Sequence, residues 1–129
     1  PYTTLFRSSY SMNFCNAGHN PPVLGDKFME IETNAPIGLW PGLEFVGESV
    51  DNIEGKSLFL YSDGLNEAED KEQVQFGDDH LLAILKEMHF DNARQVIEYM
   101  RDAVEKHRKG ALPNDDLTMM ELKFNKNDE

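Results

Sequence analysis

The sequence has 129 residues, of which 40% are hydrophobic, and this is enough for one compact domain with a buried core. Acidic residues outnumber basic ones by 24 to 12, and the resulting net charge of −12 argues against binding to nucleic acid or to an anionic membrane. No apolar run is long enough to cross a bilayer, and the single cysteine, Cys15, excludes an internal disulfide. These features predict a protein of a reducing, cytoplasmic compartment.

The first half of the chain has the pattern of β-strands. Short segments rich in β-branched, aromatic and other apolar residues alternate with polar turns. Residues 16–22 (NAGHNPP) are expected to form a turn, because Gly18 and the two prolines do not fit a regular ladder. The predicted strands are residues 3–6, 10–15, 23–24, 28–32, 43–50 and 56–61.

The second half of the chain has helical periodicity. Apolar residues recur every three or four positions in residues 78–89 and again in residues 91–109, which predicts two amphipathic helices. Asp91 is a suitable N-cap for the second helix, and Gly110 together with Pro113 would end it.

A last strand and a tail complete the predicted organisation. Residues 117–124 are expected to form the strand, and residues 125–129 are polar. The order of β-rich segment, two helices and closing strand predicts an α+β domain over residues 1–124. We expect an antiparallel sheet with the helices packed on it.

Two acidic turns are candidates for chemistry. Asp63 follows an apolar strand and precedes Gly64, and Asp115 with Asp116 precedes the closing strand. If these two strands are neighbours, the carboxylates converge at one end of the sheet, and an all-oxygen set favours Mg²⁺ or Mn²⁺. From spacing alone the simpler alternative is favoured, in which these are turn aspartates that form local hydrogen bonds.

Cys15 and His19 form a second, weaker candidate. Such a pair suits a nucleophile with its base, or half of a zinc site. No further ligand pair or orienting residue follows at a useful spacing, so a buried, inert thiol in a strand is the favoured interpretation.

Four blocks, in this order, resemble the SpoIIE-type branch of the metal-dependent PPM phosphatases. Each block is weak evidence alone, but the ordered set spans nearly the whole chain. The blocks are NAGHNPP at residues 16–22, PIGL at residues 36–39, LFLYSDGLNEA at residues 58–68 with FG at residues 76–77, and DDLT at residues 115–118.

The resemblance implies the C-terminal portion of an αββα sandwich that, when complete, holds two Mn²⁺ or Mg²⁺ ions and activates water for attack on phosphoserine or phosphothreonine. It assigns metal binding to Asp63-Gly64 in the third block (the DG block) and to Asp115-Asp116 in the fourth (the DD block). It assigns the edge of the active site to residues 16–20, the NAGHN turn. The implied metal-site residues are Asp63, Gly64, Asp115 and Asp116, and the implied edge residues are Asn16, Gly18, His19 and Asn20.

The family's upstream GD-x-x-D segment, which carries the metal-bridging aspartate, does not occur in these 129 residues. The chain is therefore expected to come from a longer active enzyme, or else to be an inert pseudophosphatase that binds partners. An α+β domain with no metal role is a third interpretation, which the four blocks disfavour. Alone, the chain is expected to hold at most one ion, weakly, and to be a poor catalyst.

The resemblance also implies partners. The expected substrate is a phosphorylated bacterial regulatory protein of the anti-sigma factor antagonist class. We also expect self-association as a homodimer, because the predicted helices cover only one face of the sheet and the other face would be exposed. The apolar segments 3–6 and 58–61 are the expected contributors.

Overall fold

The structure is a computed structural model that describes residues 10–126. In chain order the elements are β1 (Ser11–Phe14), β2 (Val23–Leu24), β3 (Lys27–Phe28), β4 (Glu48–Asp51), β5 (Ser57–Tyr61), α1 (Asp63–Asn66), α2 (Asp78–Glu87), α3 (Ala93–Arg108) and β6 (Met119–Lys123). Among the helices in this part of the chain, none is long and apolar enough to span a membrane.

The described residues divide into two compact units. The smaller unit comprises residues 10–19, 31–56 and 124–126 and contains β1 and β4, which pair in antiparallel fashion. The larger unit comprises residues 20–30 and 57–123 and contains the three helices and a four-stranded antiparallel sheet in the order β3-β2-β5-β6.

The pairing of β5 with β6 brings the two acidic turns to one edge of the larger sheet. Tyr61, the last residue of β5, lies opposite Met119, the first residue of β6. Because the strands are antiparallel, the chain leaves β5 at the same edge at which it enters β6. The expectation that these two strands are neighbours is confirmed.

The helices cover one face of the larger sheet and form its core. On α3 the residues Val96, Met100 and Val104 recur every four positions and are buried, as an amphipathic helix requires. They pack in one cluster with Phe59 and Tyr61 of β5 and with residues of α1 and α2. Burial of each such side chain contributes about 1.5–3 kcal/mol to folding.

The α+β class and the antiparallel sheet are confirmed, but two predicted strands are shorter than expected. Of residues 28–32 only Phe28 lies in a strand, because β3 pairs only with the two-residue β2, and Pro22 before β2 has no N–H with which to extend the ladder. Of residues 43–50 only the last three lie in a strand, because their partner β1 has only four residues.

Other sequence predictions also need correction. The N-cap of α3 is Asn92 rather than Asp91, because the Asn92 side chain accepts the hydrogen bond from the backbone N–H of Gln95. Cys15 is exposed rather than buried, since β1 belongs to a two-stranded sheet and Cys15 follows its last residue.

Of the segments expected to drive self-association, residues 3–6 lie outside the described residues. In residues 58–61 the side chains of Leu58, Phe59 and Tyr61 are buried, so this segment does not offer an exposed surface. The extent of the domain, residues 1–124, and of the polar tail stays a prediction.

Candidate metal site

Ser62 joins the two acidic blocks through three hydrogen bonds. Its backbone N–H donates to the carbonyl of Thr118 at 2.9 Å, and its hydroxyl donates to the carbonyl of Asp116 at 3.0 Å. The same hydroxyl oxygen accepts the backbone N–H of Thr118 at 2.9 Å. The DG and DD blocks are more than fifty residues apart in sequence, but these hydrogen bonds join them into one local structure.

Gly64 allows the two blocks to approach this closely. A Cβ at this position would overlap the carbonyl oxygen of Asp116 and would lie 3.0 Å from the backbone nitrogen of Leu117. Gly64 is also buried, so a side chain could not turn outward into solvent. The contact explains why the block needs glycine after the aspartate.

Asp63 is the first residue of α1, and its side chain is exposed. The Nδ2 of Asn20 donates a hydrogen bond to Asp63 Oδ1 at 2.7 Å, across 43 residues of sequence. Within residues 10–126 no hydrogen bond uses Oδ2 of this carboxylate. Asn20 therefore fixes one oxygen, and the other has no hydrogen-bond partner in the described chain.

Asp115 and Asp116 are exposed and lie in the turn before β6. The backbone N–H of Asp116 donates to Asp115 Oδ1 at 2.7 Å, so the predicted local hydrogen bond of a turn aspartate is present. The neighbouring Asn114 donates from Nδ2 to the carbonyl of Glu67, just after α1, at 2.9 Å. This bond is a further link between the DD turn and the chain that follows Asp63.

A negative potential marks the end of β5. Tyr61 is buried, and its hydroxyl donates to Asp78 Oδ1 at 3.1 Å. Burial, together with the charges of Asp78 and Asp63, raises the pKa of the Tyr61 phenol far above its usual range. The phenol therefore stays protonated, and the potential of these carboxylates would attract a cation.

The first part of the NAGHNPP turn belongs to the smaller unit, where it is held by its own hydrogen bonds. Asn16 Oδ1 accepts the backbone N–H of His19 at 2.7 Å, and Asn16 Nδ2 donates to the His19 carbonyl at 2.9 Å. Gly18 adopts a φ of +82°, and a Cβ there would lie 2.8 Å from Pro36 Cγ. The NAGHNPP and PIGL blocks therefore contact each other at a position that requires glycine.

Of the predicted site residues, Asn20 is hydrogen-bonded to Asp63, and Gly64 packs against the backbone of Asp116. Asp115 is hydrogen-bonded to the N–H of Asp116. Asn16, Gly18 and His19 lie in the other unit. Sequence reasoning missed Ser62. Its signal was present, because a hydroxyl residue directly before the DG block can bond to a neighbouring strand.

The donor set fits a hydrated divalent ion rather than a closed metal cage. Among the described residues, no group of three or more His, Cys, Asp and Glu side chains is placed to hold a metal ion. Asp63 and Asp115 are exposed and lie in two turns whose backbones are in contact at Gly64 and Asp116, so they offer hard oxygen donors. Mg²⁺ often binds proteins through one or two carboxylates and keeps several waters. The fit is therefore to part of a metal site.

Comparison with known proteins gives a family match over almost the whole chain. The model of the family "Stage II sporulation protein E (SpoIIE)" matches residues 2–125. Protein IcfG of Synechocystis sp. is 26% identical over 117 residues, which cover 88% of this chain and 18% of that protein.

Solved structures share the fold. The manganese-presoaked phosphatase domain of SpoIIE from Bacillus subtilis aligns with a TM-score of 0.69 and 22% identity, covering 94% of this chain and 53% of that one. The SiaA-PP2C domain of Pseudomonas aeruginosa aligns with a TM-score of 0.75 and 18% identity, covering 92% and 48%. The chain thus spans about half of each of these two solved chains and under a fifth of IcfG. Its helices and antiparallel sheets match a PP2C-type phosphatase fold.

Proposed function

Because this chain belongs to the stage II sporulation protein E (SpoIIE) family, we propose that it forms part of a metal-dependent protein phosphatase that hydrolyses phosphoserine or phosphothreonine. The observation that carries the proposal is the joining of the DG and DD blocks by Ser62 at one edge of the larger sheet. This edge offers exposed carboxylates in a negative potential, as a divalent cation needs.

The proposal gives each residue a role. Asp63 and Asp115 would hold Mn²⁺ or Mg²⁺, with Gly64 and Asp116 shaping the backbone between them. When bound, the ions would supply activated water and neutralise the charge on the phosphoryl group. Asn20 would orient the Asp63 carboxylate through the 2.7 Å hydrogen bond.

The proposed substrate is a phosphorylated bacterial regulatory protein of the anti-sigma factor antagonist class, in the cytoplasm. A complete site would hold two ions, and in this proposal Asp63 and Asp115 would be ligands for one of them. We therefore propose that the 129 residues alone are a poor catalyst, because two-metal chemistry needs a carboxylate that bridges both ions.

A pseudophosphatase is the second candidate function. The lack of a three-ligand cluster of His, Cys, Asp and Glu side chains among residues 10–126 favours it. In that case the chain would bind the regulatory protein without hydrolysing its phosphate. Measuring binding to the phosphorylated partner alongside hydrolysis separates the two candidates.

The test is phosphate release by the full-length protein from a phosphoserine peptide, with and without Mn²⁺. We expect Asp63→Asn and Asp115→Asn each to lower kcat at least about a hundredfold, because each removes a metal ligand. Asp91→Asn, an exposed aspartate at the start of α3, is the matched control and should leave kcat unchanged. Manganese-dependent activity that survives Asp63→Asn would refute the assignment, and a wild-type protein that binds without hydrolysis would favour the pseudophosphatase.

A homodimer is also part of the proposal. In the described sheet β6 is an edge strand, and its side chains Met120 and Leu122 are 55% and 43% exposed. The backbone of such an edge invites strand pairing with a second copy, and the face that carries these two apolar side chains invites face-to-face packing. Light scattering on the 129-residue chain should show a dimer for the wild type and a monomer for Met120→Glu/Leu122→Glu. A wild-type monomer at high concentration would contradict the proposal.

A further inference from the structure

A groove between α2 and α3 lies in the larger unit and shares no residue with the candidate metal site. Its volume is about 550 Å³, within the range of about 300–1,000 Å³ that ligand pockets occupy. Ile84 of α2, which is buried, and Ala103 of α3, which is half-buried, supply an apolar floor. The groove can therefore accept an apolar group.

The walls of the groove are aromatic and held in place. The His80 ring stacks on buried Phe76 with centroids 4.2 Å apart, and the His107 ring meets the same phenyl ring edge-on at 5.6 Å. His107 Nε2 lies 2.8 Å from the carbonyl oxygen of Val74. Because a carbonyl only accepts, this nitrogen carries the hydrogen, which fixes the orientation of the imidazole.

Two lysines without a direct ion-pair partner in the described chain line the groove. Lys106 and Lys109 form no ion pair and no side-chain hydrogen bond with another residue of the described chain. The one acidic side chain in the lining, Asp102, is already engaged by Arg101 at 3.1 and 3.0 Å. The groove therefore has unpaired positive charge, in a protein whose net charge is −12.

One further carboxylate affects this charge. Asp70 interacts electrostatically with His107 and Lys109. Its Oδ1 accepts the backbone N–H groups of Glu72 and Val74 at 2.9 and 3.0 Å, and these bonds lower the Asp70 pKa. No ion pair joins Asp70 to Lys106 or Lys109 in the described chain, so its effect on the groove is a longer-range one and both ammonium groups lack a direct partner.

We propose that the groove binds an acidic peptide segment of a partner protein, with one apolar side chain on the floor and carboxylates at Lys106 and Lys109. The length of the groove favours a peptide over a small anion. From Tyr99 to His107 the α3 helix rises about 12 Å, which equals about four residues of an extended peptide. Aromatic walls, an apolar floor and unpaired lysines complement such a segment.

Fluorescence anisotropy with two fluorescein-labelled hexapeptides tests the proposal. One probe alternates glutamate with leucine, and the other alternates lysine with leucine. We expect the glutamate probe to bind the full-length protein and the lysine probe to bind at least tenfold more weakly. Lys106→Glu/Lys109→Glu should weaken binding of the glutamate probe about tenfold, because each exposed charge pair contributes a factor of about 2–5 and reversal adds repulsion.

A matched variant separates the groove from the overall charge. Lys27→Glu/Lys56→Glu changes the net charge by the same four units at exposed lysines outside the groove, and it should leave binding unchanged. Lys106→Gln/Lys109→Gln avoids charge reversal at the end of α3 and should weaken binding about threefold, with an unchanged circular dichroism spectrum. Equal loss in the two glutamate variants, equal binding of both probes, or no binding of the glutamate probe at millimolar concentration would overturn the proposal.

Discussion

At Gly64 the sequence is set by backbone contact rather than by helix propensity. In a four-residue helix, alanine would be favoured over glycine by up to about 1 kcal/mol. The added Cβ would instead overlap the Asp116 carbonyl, and overpacking of this kind costs about 1–3 kcal/mol. We predict that Gly64→Ala lowers the free energy of unfolding, as measured by urea denaturation.

The matched control for this change is Gly47→Ala. At Gly47 the nearest atom to an added Cβ is the Phe14 carbonyl oxygen at 3.7 Å, which is ordinary contact. Its midpoint in urea should stay close to that of the wild type. A Gly64→Ala protein as stable as the Gly47→Ala protein would show that the two blocks do not approach as described.

A variant of Asn20 tests whether its hydrogen bond to the Asp63 carboxylate affects the affinity of the site for metal. Loss of such an outer contact typically weakens metal binding by about 10–100-fold. We predict that Asn20→Ala weakens Mn²⁺ binding about tenfold, as measured by electron paramagnetic resonance of the free ion. Asn34→Ala, which removes an amide that bonds only within the smaller unit, is the control and should bind Mn²⁺ like the wild type. Equal Mn²⁺ affinity in the two variants would remove Asn20 from the site.

The two residues that precede helix α3, Asp91 and Asn92, make different hydrogen bonds to Gln95. Asn92 accepts the backbone N–H of Gln95 at 3.0 Å, whereas Asp91 Oδ2 receives only a long bond of 3.4 Å from the Gln95 side chain. We predict that Asn92→Ala costs about 1 kcal/mol of stability, and that Asp91→Ala costs less. Thermal unfolding followed by circular dichroism measures both, and the reverse order would restore the cap predicted from sequence.

The packing of α3 on β6 places one carboxyl group in an unfavourable position. Glu121 lies on β6, and its Oε2 is buried without a hydrogen-bond partner in the described chain. Burial raises the pKa of the Glu121 carboxyl to about 7, although the Ser57 hydroxyl and Lys123 oppose the shift.

This raised pKa predicts how stability depends on pH. In the folded chain the neutral form of the Glu121 carboxyl is favoured. The stability that this protonated carboxyl contributes to the folded state is fully present below the unfolded pKa of 4.5 and is lost as the pH rises through about 7. Glu121→Gln should therefore stabilise the protein at pH 8, by on the order of 1–2 kcal/mol after solvent screening, and should change little at pH 4. Urea midpoints at the two pH values decide it, and an equal effect at both would contradict the assignment.

At the scale of the whole molecule, the sequence predicts what is local and misses what depends on partners in space. The α+β order and both long helices follow from periodicity, and the DG and DD blocks are visible as motifs. The length of β4 does not follow from its residues, because β1 sets it through pairing. In the same way Ser62 gains its role only from Asp116 and Thr118, which the pairing of β5 with β6 brings beside it.

The proposed metal site depends on Asp63 and Asp115 acting together, although they are 52 residues apart in sequence. The structure places their backbones at one edge, with Oδ1 of each held by a hydrogen bond. A cation bound by both carboxylates would tie the DG and DD turns together.

Titration of the 129-residue chain with Mn²⁺, followed by electron paramagnetic resonance, tests this claim most directly. We predict that the wild type binds one ion weakly, that Asp63→Asn and Asp115→Asn each abolish this binding, and that the control Asp91→Asn retains it. Wild-type affinity in the double variant Asp63→Asn/Asp115→Asn would contradict the claim, because the bound ion would then lie elsewhere.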